Sequence, residues 1–108
     1  MEKSNILYVG RNEEILNTVI RLINANAGWC AFGANTNAEA QHVFDTNTIA
    51  VVLLGSGISE ESEYELREFF NKSNPRAIVV QHYGGGSGLL TSELTAALEE
   101  YNKKGECL

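Results

Sequence analysis

Basic residues are scarce in this chain of 108 residues: eight Lys and Arg stand against fourteen acids, a formal charge of −6. The eight are scattered, and the only close pair is Lys103-Lys104. A surface that holds a phosphate backbone needs clustered Lys and Arg, so no nucleic-acid partner is expected. Cysteine is nearly absent too. Cys30 and Cys107 are too few for a disulfide framework. Cys30, in an apolar stretch, is expected to pack as a small hydrophobe, with Cys107 exposed. No apolar run approaches the roughly 20 residues needed to cross a bilayer, so no membrane contact is expected. The first residues, Met1-Glu2-Lys3-Ser4-Asn5, lead straight into an apolar run with no signal-peptide layout, which fits a cytoplasmic, reducing location. Proline occurs once, at Pro75, where it marks a turn.

The apolar residues fall into four alternations of strand and helix across one domain, residues 1–108. Ile6-Leu7-Tyr8-Val9 is a short continuous apolar run, as in a strand buried on both faces. Asn12 is a helix N-cap, followed by Glu13 and Glu14 where the helix dipole favours acids. Ile15, Leu16, Val19, Ile20, Leu22 and Ile23 then make a broad apolar stripe. Trp29 to Ala34 reads as a second strand. Thr36 or Asn37 caps a second helix that buries Ala38, Ala40, Val43 and Phe44. The third strand, Ile49 to Leu54, is the most apolar run and so is placed centrally. Ser62 and Glu65 have capping-box spacing for a third helix, unless Ser59 is its cap. Tyr64, Leu66, Phe69 and Phe70 form that helix's aromatic packing face. Ala77 to Val80 is the fourth strand. A last helix follows, with Leu90, Leu94, Ala97, Leu98 and Tyr101 on one stripe. Residues 102–108 are too short and polar for a fifth strand. Short connections between alternating elements imply a parallel α/β sheet, a three-layer sandwich with strand order 2-1-3-4 in flavodoxin-like style.

In such sheets, ligands and reactions sit just beyond the carboxyl ends of the strands. Here those ends are Gly10-Arg11, Gly55-Ser56-Gly57 and Gln81-His82, small, cationic or neutral where a carboxylate would give chemistry. Four local features carry the candidate chemistry. Gly84, Gly85, Gly86 and Ser87, with Gly88, lie between a strand and a helix. They read as a flexible loop, a cradle of backbone N–H groups for an anion, or a contact loop. The loop lacks the Lys-Ser/Thr ending of a P-loop. His82 has no Asp, Glu or Cys near it in sequence to orient it; Arg11 and Ser56 are its natural companions, and the plain alternative is a polar strand-end residue. Ser56, between glycines, does not complete a nucleophile elbow. Arg11 could hold a carboxylate or phosphate, or pair with Glu13 or Glu14 in solvent. His42, mid-helix, is expected at the surface. The histidines and cysteines show no metal-site spacing.

Over roughly residues 5 to 83 the pattern resembles the receiver domain of bacterial response regulators. The resemblance rests on Ile6-Leu7-Tyr8-Val9 with Glu13-Glu14-Ile15-Leu16, on Gly28-Trp29 through Thr36-Asn37-Ala38-Glu39-Ala40, and on Val51-Val52-Leu53-Leu54. It aligns the family's magnesium-binding acidic pair with Gly10 and Arg11, and the phosphoacceptor aspartate with Gly55. The hydroxyl residue after the fourth strand falls near Gln81 or His82, and the lysine of a fifth strand has no counterpart. The resemblance thus implies a degenerate receiver: not an enzyme, without cofactor, not phosphorylated on aspartate, and acting by binding another protein. The alternative is a small-ligand or anion-binding domain built on Arg11, Ser56, His82 and the glycine loop. With no fifth strand, the fourth lies at an apolar sheet edge, which invites pairing. A homodimer through the fourth strand, the last helix or both is expected; otherwise the C-terminal tail covers the edge of a monomer.

Overall fold

The computed structural model describes residues 3–55, 57–82 and 87–106. Four strands and four helices alternate: β1 (Ser4–Val9), α1 (Glu13–Asn24), β2 (Trp29–Ala34), α2 (Asn37–Thr46), β3 (Val51–Leu54), α3 (Glu60–Ser73), β4 (Ile78–Gln81) and α4 (Ser87–Glu106). All strand pairs are parallel, in the order β2-β1-β3-β4. The two continuous apolar runs become the central strands. Ile6, Leu7, Val9 and all four residues of β3 have no exposed surface, because helices cover both faces.

Strand alternation sorts the core into two layers. Ile6 and Tyr8 of β1, with Val51 and Leu53 of β3, face α1 and α4 and meet Val19, Ile23, Leu90 and Leu94. Leu7, Val9, Val52 and Leu54 point the other way, to Ala40 and Phe44 of α2 and Leu66 and Phe70 of α3. Phe44 and Phe70 stack at 4.5 Å between ring centres, and Phe69 meets both edge-on.

Local chemistry sets the helix starts. Asn12, Thr36 and Ser59 accept hydrogen bonds from the amides of Ile15, Glu39 and Ser62. Ser59 is therefore the cap of α3, with Glu60, Glu61 and Glu63 in its first turn; Ser62 lies inside the helix. β3 starts at Val51, and Ile49 and Ala50 are buried just ahead of it. β4 is shifted by one residue, to Ile78–Gln81. Two helix stripes are narrower than their apolar residues suggest. Ile15 and Leu22 of α1 face solvent, and Tyr64 of α3 is 68% exposed instead of joining the phenylalanines. Residues 102–106 continue α4. Its far end is tied down by Arg76, whose guanidinium lies 3.8 Å over the Tyr101 ring and whose Nε donates to the Tyr101 carbonyl. Cys30 is half-buried and reduced, and His42 is exposed.

Candidate functional site

Parallel pairing brings Gly10, Gly55 and His82 to one end of the sheet. Their amides extend the ladder by one step each, donating to Ala34, Val9 and Leu54 at 3.1, 2.7 and 2.9 Å. Neither Gly10 nor Gly55 has a left-handed backbone, so their glycine character is a matter of room. The room is taken by Tyr8. A Cβ on Gly55 would lie 2.1 Å from the Tyr8 hydroxyl oxygen and 2.6 Å from its Cζ. A Cβ on Gly10 would lie 2.7 Å from Tyr8 Cε2. The three residues alternate onto the same face, and the phenol ring leans along its strand to lie over both glycines. Tyr8 is 2% exposed, and burial raises its phenol pKa above the ordinary value of 10.0.

His82 meets the Tyr8 ring edge-on, with 6.4 Å between centroids and 76° between planes. The imidazole is itself buried. Contrary to the expectation from its sequence neighbours, it has an acidic partner. Glu93, on the second turn of α4, comes within 2.5 Å of His82 Nδ1 and accepts its hydrogen bond. No buried side-chain nitrogen or oxygen of the described residues lacks a partner.

Arg11 turns away from this centre. Its guanidinium donates to the Asn35 carbonyl at 3.0 Å and to Asn37 Oδ1 at 2.6 Å. It straps the loop after β1 to the start of α2, so the alternative of a pairing with Glu13 or Glu14 is not what forms. Gly57, at φ +85, packs against the Arg11 stem: a Cβ there would stand 3.3 Å from Arg11 Cβ. Of the remaining candidates, Ser56, Gly84, Gly85 and Gly86 lie outside the described residues, as does Cys107, and Ser87 is the first residue of α4.

Two residues at this centre escape sequence reasoning. Tyr8 reads only as one more apolar strand residue, although an aromatic followed two residues later by glycine, with a second glycine ending β3, is a usable signal. Glu93 carries no signal, being one acid on the polar part of a long helix.

No protein-family model and no curated protein matches the chain. Solved structures do. It superposes on the signal receiver domain of an HD domain-containing protein from Pseudomonas fluorescens Pf-5 with a TM-score of 0.86 at 15% identity, covering 100% of this chain and 96% of that one. A CheY-like response regulator receiver domain from Methanospirillum hungatei JF-1 gives 0.80 at 18% identity, over 95% of this chain and 99% of that one. The chain has the receiver fold. An adenylate cyclase from Rhodopirellula baltica also gives 0.80, at 12% identity over 96% and 93% of the two chains. Identities this low establish the fold alone.

The receiver fold raises the question of magnesium, and the residues at its strand ends do not fit it. Magnesium takes six oxygen ligands, keeping several waters and binding the protein through one or two carboxylates. Gly10, Arg11 and Gly55 supply none, and the Tyr8 ring covers the two glycines. Among the described residues, the Glu93 carboxylate is bonded to His82, and that of Glu39, in the first turn of α2, accepts from the Asn35 amide. The chain has a single aspartate, Asp45. It lies in the last turn of α2, beside Asn47, Ile49 and Asn74 at the opposite end of the sheet. Among the described residues, no three His, Cys, Asp or Glu side chains are grouped to hold a metal.

Proposed function

We propose that this chain is a non-catalytic receiver-like signalling module that is not phosphorylated on aspartate and works through protein contacts. One observation carries the reading: the Tyr8 ring lies over Gly10 and Gly55, the positions the family resemblance aligns with a magnesium-binding acid and with the phosphoacceptor. Phosphoryl transfer needs a positioned acceptor and charge neutralisation around the moving group. A buried phenol beside two glycines offers neither. The alternative reading, a small-anion site, is weakened by the commitment of Arg11 to Asn35 and Asn37 and of His82 to Glu93.

The negative charge and scattered basic residues favour a protein over a nucleic acid as partner. No described helix is long and apolar enough to cross a membrane, and work in the cytoplasm accords with this reading. Self-association through the open edge of the sheet belongs to the same reading.

The test is an amide NMR titration with magnesium and beryllofluoride, and separately with acetyl phosphate. The spectrum is expected to stay unchanged. Magnesium-dependent shifts centred on Gly10 and Gly55 would contradict the proposal.

A further inference from the structure

β4 has β3 on one side and no strand on the other among the described residues. The amides of Ile78 and His82 donate inward, to Ala50 and Leu54. Strand alternation therefore turns the backbone N–H and C=O groups of Val79 and Gln81 outward. Unpaired edge groups of this kind template the addition of another strand. A groove of about 530 Å³ runs along this edge, with α3 as one wall and α4 as the other. Ala77, Ile78 and Val79 form its floor.

The walls indicate what fills it. The α3 wall presents Arg67, whose Nε also holds Glu63 at 2.8 Å, next to Glu68, which lies 3.7 Å from Lys72; the α4 wall presents Glu100 and Lys104 one turn apart, Lys104 also donating to the Pro75 carbonyl at 3.3 Å. Each wall thus carries one acid and one base. A two-fold axis perpendicular to the sheet lays each helix beside its own copy running the opposite way. Acid then meets base twice on each wall: Arg67 against Glu68, and Glu100 against Lys104. A surface that complements itself under reversal is what a two-fold interface requires. The exposed Tyr64 ring, also on the α3 wall, supplies the aromatic area that interfaces favour.

We infer that two copies of this chain pair β4 to β4 in antiparallel fashion, with the axis at Val79, to make one continuous eight-stranded sheet. This rests on the reading above, that the module works through protein contacts, and names the contact. Val79 exchanges two backbone hydrogen bonds with its own copy, and the outward amide of Gln81 reaches the carbonyl of Ala77 on the other chain. α3 and α4 close over the junction on the two faces.

Sedimentation equilibrium on the full chain and its variants tests this. The unaltered chain is expected to be a dimer. Val79→Pro removes an outward N–H, a change that edge strands tolerate, and should give a monomer with an unaltered circular dichroism spectrum. Val79→Cys should be linked to its own copy by a short bifunctional thiol reagent, since the Cα atoms of a hydrogen-bonded antiparallel pair lie about 5.5 Å apart. Glu100→Lys, which leaves the Lys104 bond to the Pro75 carbonyl in place, should weaken the dimer by about tenfold, and adding Lys104→Glu should restore it, because the swap keeps the surface self-complementary. A monomeric unaltered chain overturns the inference. A dimer that survives Val79→Pro and leaves Val79→Cys unlinked uses another face; that also overturns this inference, while leaving the reading of an interaction module intact. Loss of dimer in both the Glu100→Lys and the swapped variant overturns the charge pairing.

Discussion

Burial sets the acidity of Tyr8, and its effect on stability has a definite sign. The folded chain holds the phenol proton more tightly than the unfolded chain does, because the phenolate would lose solvation. The contribution is fully present below the free-phenol pKa of about 10 and is lost as pH rises through the folded pKa. The phenolate absorbance of the native protein, with that of Tyr8→Phe subtracted, should titrate above a free tyrosine. Tyr8→Phe should also flatten the alkaline fall in stability. The neighbouring His82–Glu93 contact is a hydrogen bond to a carboxylate that is itself largely shielded, at 19% side-chain exposure. His82→Ala leaves that carboxylate unpartnered and should cost about 1.5–3 kcal/mol in urea unfolding. Glu93→Gln, which keeps an acceptor oxygen for Nδ1–H, should cost less.

At the scale of elements, the caps separate signals that sequence alone leaves tied. Asn12 was legible because an isolated capping residue stood directly before two glutamates and an apolar stripe. For α3, only Ser62 precedes an acid, Glu65, at capping-box spacing, yet the helix start fell to Ser59, which leaves Glu60, Glu61 and Glu63 in the first turn. Ser59→Ala should lower stability by about 1 kcal/mol, and Ser62→Ala, inside the helix, by less; the two urea midpoints decide. Tyr64 was misplaced for a related reason. Leu66, Phe69 and Phe70 already fill the side of α3 that meets Phe44, and Tyr64 falls on the side facing the open edge of β4. The polar end of α4 hid its length. Its last turns are held by Arg76 against Tyr101 and by Lys104 donating to the Pro75 carbonyl, contacts that join residues 25 and 29 apart.

For the molecule as a whole, the sheet order was readable because it follows from continuous apolar runs and short connections, both local features. Ile6–Val9 and Val51–Leu54 could only be central strands. The functional end was half readable. That Gly10 and Gly55 lie where carboxylates would give chemistry is visible along the chain. What fills the space is not, since Tyr8 meets Gly55 only once β1 and β3 pair, and Glu93 meets His82 only once α4 has packed. The emptied strand ends and the packed ring are one feature: the glycines are small because the tyrosine lies against them. That dependence can be measured by a double-mutant cycle in urea unfolding at Tyr8 and Gly55. Gly55 has an ordinary backbone, so with space available Gly55→Ala should stabilise by about 0.4–1 kcal/mol through the unfolded chain. The predicted result is the reverse in the native background, a loss of about 1–3 kcal/mol from overpacking, relieved when Tyr8→Leu is also present. A neutral or stabilising Gly55→Ala in the presence of Tyr8 would contradict the account.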